Sequence, residues 1–222
     1  MVRLCGTLPL DEFVSSCCPR LRRLRLCCVG GEPVRRLVLH TDALEVLDVN
    51  NVDDLKRLDV VASNLRCLSV RSCFRFTSGG GGEVTVSAPR IETLRWYRSY
   101  PEQLSFRADL THVRRLSCLK LLAIGNRQWF DVPYTIQLLQ DCSFADHLDL
   151  VELIMPDKMP LLNWLGPEVH WQGACEDLIR HVPLLPNLRV LSVTIRWGFG
   201  GNVMPSLASL LSRAPKNNEA LH

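Results

Sequence analysis

The sequence predicts an α/β solenoid, a chain wound into coils that each add one strand to a growing parallel sheet. Three observations carry this reading. A short phrase recurs at Leu44-x-x-Leu47-x-Val49, Leu55-x-x-Leu58-x-Val60 and Leu65-x-x-Leu68-x-Val70. Two phrases make one cycle of 21 residues (Leu44 to Leu65), inside the range of leucine-rich repeats. The third copy runs on to Cys73, where such repeats place a cysteine or asparagine at the end of the strand segment. The expected architecture is a leucine-rich-repeat solenoid, horseshoe-like, with short strands on both sides in the N-terminal half and convex helices toward the C-terminus.

The elements follow in order. Leu10 to Cys18 is expected to be a short helix, capped by Asp11, with Phe13, Val14 and Cys17 on its apolar face and Pro19 ending it. Leu21-x-x-Leu24-x-Leu26 is the first strand phrase. Gly30-Gly31 breaks it, and Val34 to Leu39 runs back along the other side. After the three central phrases, Ser78 to Gly82 is a glycine-rich loop. The alternation in Glu83 to Ser87 restores a strand, and Ile91-x-x-Leu94-x-Trp96 supplies the next. Leu104 and Phe106 mark another short strand. Between Val113 and Ile124 a strand register beginning at Leu116 or at Leu119 fits equally well. Pro133 to Cys142 reads as a helix with Pro133 in its first turn and Ile136 and Leu139 on one face. His147 to Ile154 and Leu188-x-x-Leu191-x-Val193 are strands. Ala174 to Val182 and Pro205 to Arg213 are expected helices, and 155–173 is irregular. The whole chain reads as one repeat domain: tight coils over about 10–100, longer helix-containing coils over about 101–213 and a polar tail at 214–222.

Composition narrows the function classes. The net charge of +3 arises from 26 basic and 23 acidic side chains spread along the chain, so no nucleic-acid partner is indicated. Ten cysteines suggest a disulfide framework, but adjacent pairs (Cys17-Cys18, Cys27-Cys28) and cysteines within repeat phrases fit small buried hydrophobes better. No apolar run is long enough for a membrane span or a signal peptide. The expectation is a reduced intracellular protein, cytoplasmic or nuclear, without a membrane partner.

Candidate sites come from strand geometry. The leucines of each phrase point inward, so the residues beside the second leucine point outward on the concave face. This assigns Arg23, Arg25, Asp48, Ser69, Arg71, Arg95, Tyr97 and Ser192 to a partner-binding surface. Arginine there could grip an acidic partner, since its planar fork matches a carboxylate; it is also simply a soluble residue for an exposed strand position. Catalytic, metal and cofactor sites are not predicted. The run from Ser78 to Val84 lacks the ending of a phosphate-binding loop, and the spacing of Cys142, Asp146, His147 and Asp149 matches no strong zinc pattern. His112, His170 and His181 have no nucleophile pattern beside them. Trp164 and Trp171 lie in the irregular segment; exposed tryptophan often marks an interface, and packing against the coil edge is the better reading.

Five stretches in order, 17–26, 62–73, 88–96, 134–150 and 177–193, resemble the leucine-rich-repeat region of plant F-box proteins of the F-box/LRR and FBD type. The likeness covers nearly the whole chain. It implies a non-enzymatic module that holds a protein substrate for a cullin–RING ubiquitin ligase. In that family an F-box near the N-terminus binds a Skp-type adaptor. Here the first repeat helix begins around Leu10, which leaves no room for an F-box, so an adaptor contact is not expected of these residues. The second reading is a truncated or degenerate repeat fragment with no binding activity of its own.

Overall fold

A computed structural model describes residues 18–27, 34–52, 55–74, 82–99, 101–122, 131–154 and 183–193. In chain order the elements are β1 (Arg23–Cys27), β2 (Arg36–His40), β3 (Val46–Asn50), β4 (Arg57–Val61), β5 (Cys67–Arg71), β6 (Glu83–Ser87), β7 (Thr93–Tyr97), β8 (Gln103–Phe106), β9 (Arg115–Leu122), α1 (Asp131–Asp141), β10 (His147–Ile154) and β11 (Val190–Val193). The chain forms two compact units, 1–92 with 98–110 and 93–97 with 111–222.

The first unit is a parallel-strand β-solenoid. Odd strands β1, β3 and β5 make one sheet; even strands β2, β4, β6 and β8 make the other. Two phrases per cycle thus become two strands per coil, as the sequence led us to expect. Leu24, Leu47 and Leu68 lie in register across the first sheet, with Leu26, Val49 and Val70 one step along. Leu37, Leu58, Val84 and Leu104 form the matching ladder of the second sheet. Leu37, Leu47, Leu58 and Leu68 are buried completely or nearly so. Burying each such side chain contributes about 2 kcal/mol, and no connector need supply more than a turn.

Those turns repeat. At Cys18–Leu21, Ala62–Leu65 and Ala88–Ile91 the fourth residue's N–H donates to the first residue's carbonyl. Pro19, Ser63 and Pro89 occupy the second place, where proline's fixed φ or serine's local bonding suits a tight turn. Each corner then leads into the next strand through a shared acceptor: Glu45 and Val46 both donate to the Arg22 carbonyl, and Arg66 and Cys67 both donate to that of Glu45. Corner side chains link successive coils too, since Ser63 donates to the Asp42 carboxylate and Arg90 reaches the Asn64 side-chain oxygen at 2.8 Å. At the far ends of β3, β5 and β7 the chain bends through a left-handed residue, Asn51 (φ 52°), Ser72 (φ 52°) and Arg98 (φ 47°).

The expectation for Cys73 has a physical basis. Its thiol donates to the Val49 carbonyl of the preceding coil at 3.3 Å and to that of Arg71 at 3.1 Å, while its N–H donates to the Ser99 hydroxyl at 3.2 Å. Just beyond, Gly82 packs so closely on the buried Phe74 ring that an added Cβ would overlap it.

In the second unit β7, β9, β10 and β11 form a parallel sheet with Leu94, Leu116, Leu148 and Leu191 in register. This settles the ambiguity on β9 in favour of Leu116. α1 matches the expected helix at Pro133 to Cys142 within two residues. The described residues contain that single α-helix, so they form a β-solenoid with a helical return in one coil and not the helix-backed horseshoe anticipated. The reason is length: a connector of a few residues has room for a second short strand but not for a helix. The helices expected at Leu10–Cys18 (apart from Cys18 itself), Ala174–Val182 and Pro205–Arg213, the irregular segment with Trp164, Trp171 and His170, and His181 lie outside the described residues.

Candidate interaction surface on the first sheet

The outward face of β1, β3 and β5 carries Arg23, Arg25, Cys27, Val46, Asp48, Asn50, Cys67, Ser69 and Arg71, because side chains alternate along each strand. Arg25, Asp48 and Ser69 are direct register partners and form one row across the sheet. Asp48 is the centre of this row. Its carboxylate forms an ion pair with Arg25, Nε to Oδ2 3.0 Å, and accepts from Arg71 Nη2 at 3.0 and 3.1 Å. Two guanidinium groups thereby stabilise one carboxylate that is only 6% exposed.

Asp48 and Ser69 were expected as exposed contact residues. They do point outward, yet Ser69 is only 3% exposed. Long arginine stems cover short neighbours on a sheet face, and the paired guanidiniums close over the carboxylate. Arg23 and Arg25 stay exposed, whereas Arg71 is half-buried against Asp48. The Ser69 hydroxyl and Arg71 Nε are buried without a hydrogen-bond partner.

The remaining predicted residues belong to the second unit. Arg95 lies opposite Ser117, which lies opposite Asp149, which lies opposite Ser192. Tyr97 is on the same strand as Arg95, two residues on and half-buried. Ser117, buried, and Asp149 were not assigned to a surface from the sequence; counting down the column occupied by Arg95 would have found both.

A second column went unread. The residue after the first apolar position of successive odd phrases alternates in charge: Arg22, Glu45, Arg66, Glu92 in the first unit and Arg114, Asp146, Arg189 in the second. Arg22–Glu45 (3.7 Å), Arg66–Glu92 (3.6 Å) and Arg114–Asp146 (3.9 Å) are ion pairs. Each has at least one well-exposed partner and is individually worth little. Together they disfavour a slip by one coil, which would set like charges opposite each other.

Cys142 is buried, and burial followed by the neighbouring Asp141 charge pushes its thiol up to about 12. The Asp146 carboxylate is held below its usual range, mainly by its 2.7 Å hydrogen bond with His147 Nδ1. Among the described residues no three metal-ligating side chains converge. Cys18, Cys27, Cys73 and Cys142 are free thiols. No described helix is long and apolar enough to cross a membrane.

No protein-family model matches the chain, and neither does any curated protein or solved structure.

Proposed function

We propose that this chain is a non-enzymatic protein-interaction module of the leucine-rich-repeat type, and that its partner binds the outward face of the β1-β3-β5 sheet. The observation that carries this reading is the row at Asp48, where one buried carboxylate fixes two arginines on an otherwise flat, polar sheet face. Fixed side chains on a rigid sheet lower the ordering cost of binding. By its resemblance to the repeat region of F-box/LRR proteins, the partner would be a protein delivered to a ubiquitin ligase, and the compartment cytoplasmic or nuclear. The coils differ from that family's helix-backed form in closing through a second strand, which leaves the phrase-bearing sheet as the shared feature.

The test is recovery of partners by the tagged full chain. Replacing Arg23 and Arg25 together by glutamate should remove the specific partners, whereas Arg36→Glu on the outward side of β2 should leave them. Equal recovery with all three proteins would contradict the assignment of the surface.

A further inference from the structure

The outward face of β1, β3 and β5 holds three arginines and one acid, Asp48, an excess of two positive charges over nine positions. The way Asp48 uses its partners decides what remains available. It takes Arg25 through Nε, at 3.0 Å. That leaves the two terminal nitrogens of Arg25, the half of the fork that binds a carboxylate edge-on, on a side chain 75% exposed. Arg23, two residues earlier on the same strand and the same face, is exposed and has no ion pair among the described residues. Two exposed guanidiniums two strand residues apart are separated by about 6.6 Å at their Cα atoms, the repeat of any extended chain.

We propose that the partner presents an extended segment with carboxylates at alternate positions, an acid-x-acid strand laid along β1. One carboxylate meets the open edge of Arg25 and the next meets Arg23. Asp48 acts as a positioning residue that holds the Arg25 guanidinium flat on the sheet. The neighbouring orphans belong to the same arrangement. Buried polar groups nearly always find a partner, and here Arg71 Nε and the Ser69 hydroxyl, next along the row from Asp48, have none.

Carboxylate fits better than phosphate. A phosphoryl group carries up to two negative charges and draws several arginines around three oxygens. Arg23 and Arg25 are spread along a strand instead, and the closest charge beside Arg25 is the fixed negative one of Asp48, which penalises a dianion more than a monoanion. This inference rests on the reading of the face as the binding surface, and adds the chemistry and spacing of what binds.

Fluorescence anisotropy with defined peptides separates the two. The probe is a labelled nine-residue peptide alternating glutamate and threonine, titrated with the full chain at about 0.1 M salt. The comparison peptide has the same composition with its glutamates in one block. The alternating peptide should bind about ten-fold more tightly than the block peptide. Arg23→Glu with Arg25→Glu should abolish the difference and weaken binding at least ten-fold, while Arg36→Glu, with a smaller charge change on the other sheet, should alter it by less than about two-fold. Equal binding of both peptides, or a loss with Arg36→Glu as large as with Arg25→Glu alone, would overturn the proposal. So would tighter binding of a peptide with one phosphoserine in place of two glutamates. If the cellular partners are lost with Arg23→Glu and Arg25→Glu while the alternating peptide shows no preference, the surface stands and the acidic-strand partner is wrong.

Discussion

The two units use one phrase to different effect. In the first, β3 meets β5 over five unbroken pairs, Val46 opposite Cys67 through Asn50 opposite Arg71. In the second, β9 and β10 are eight residues long, and their register shifts between Asp149 and Leu150 and again between Leu150 and Glu152. Both begin from aligned leucines, Leu47 with Leu68 and Leu116 with Leu148. What differs is the return path. A first-unit coil comes back through a second strand and a four-residue corner, so both edges of the coil are pinned. The coil between β9 and β10 comes back through α1, and no second sheet is present among the described residues of that unit. The phrase makes the strand; the connector makes the register.

The sharpest way to break this comparison is at the leucines. Leu68→Ala should cost about 3 kcal/mol in urea unfolding, because Leu68 is completely buried between pinned coils. Leu191→Ala on β11, half-exposed at the end of its sheet, should cost about 1 kcal/mol. Similar losses would show that both ends are equally well packed.

Alkali should act on both units alike. Burial pushes the Cys73 thiol up to about 11 and the Cys142 thiol up to about 12, from 9.0 in the unfolded chain. The folded state therefore holds protons that the unfolded chain gives up first. Stability from these thiols is complete below pH 9 and falls as pH rises from there through about 12. The melting temperature of the wild type should drop across that range. Cys73→Ala should show a shallower drop, and an unchanged slope would mean the thiol is not shielded.

Smaller effects sharpen the account of the corners. Ser72 adopts φ 52°, a conformation that costs a side-chain-bearing residue about 1 kcal/mol. Ser72→Gly should raise stability by up to that amount, and a loss would mean its side chain contributes more than its backbone costs. Arg66→Glu, facing Glu45 and Glu92 in the charge column, should cost about 0.5 kcal/mol at low salt and nothing near 1 M salt. A salt-independent loss would point to packing instead.

Much of the fold was legible because its signal is local. The leucine pairs of β1, β3, β4 and β5 stand at fixed spacing, and Pro19, Ser63 and Pro89 announce their turns. The helix at Asp131–Asp141 was legible for the same reason. The register of β9 was not, since Leu116 and Leu119 are both apolar and only the neighbouring strands choose between them. The site was legible as a list of outward residues and illegible as chemistry. Nothing along β3 alone says that Asp48 is buried; that follows from Arg25 and Arg71, both 23 residues away and brought over it by the coils. The charge column hid for the same reason, being visible only when successive coils are stacked.

The most direct measurement is site-specific photo-crosslinking from the two faces of the first unit. A photoreactive residue at position 46, on the outward face of the first sheet beside Arg23, should capture partner protein that one at position 38, on the outward face of the second, does not. Capture from position 38 with none from position 46 would place the working surface on the other sheet and contradict the account.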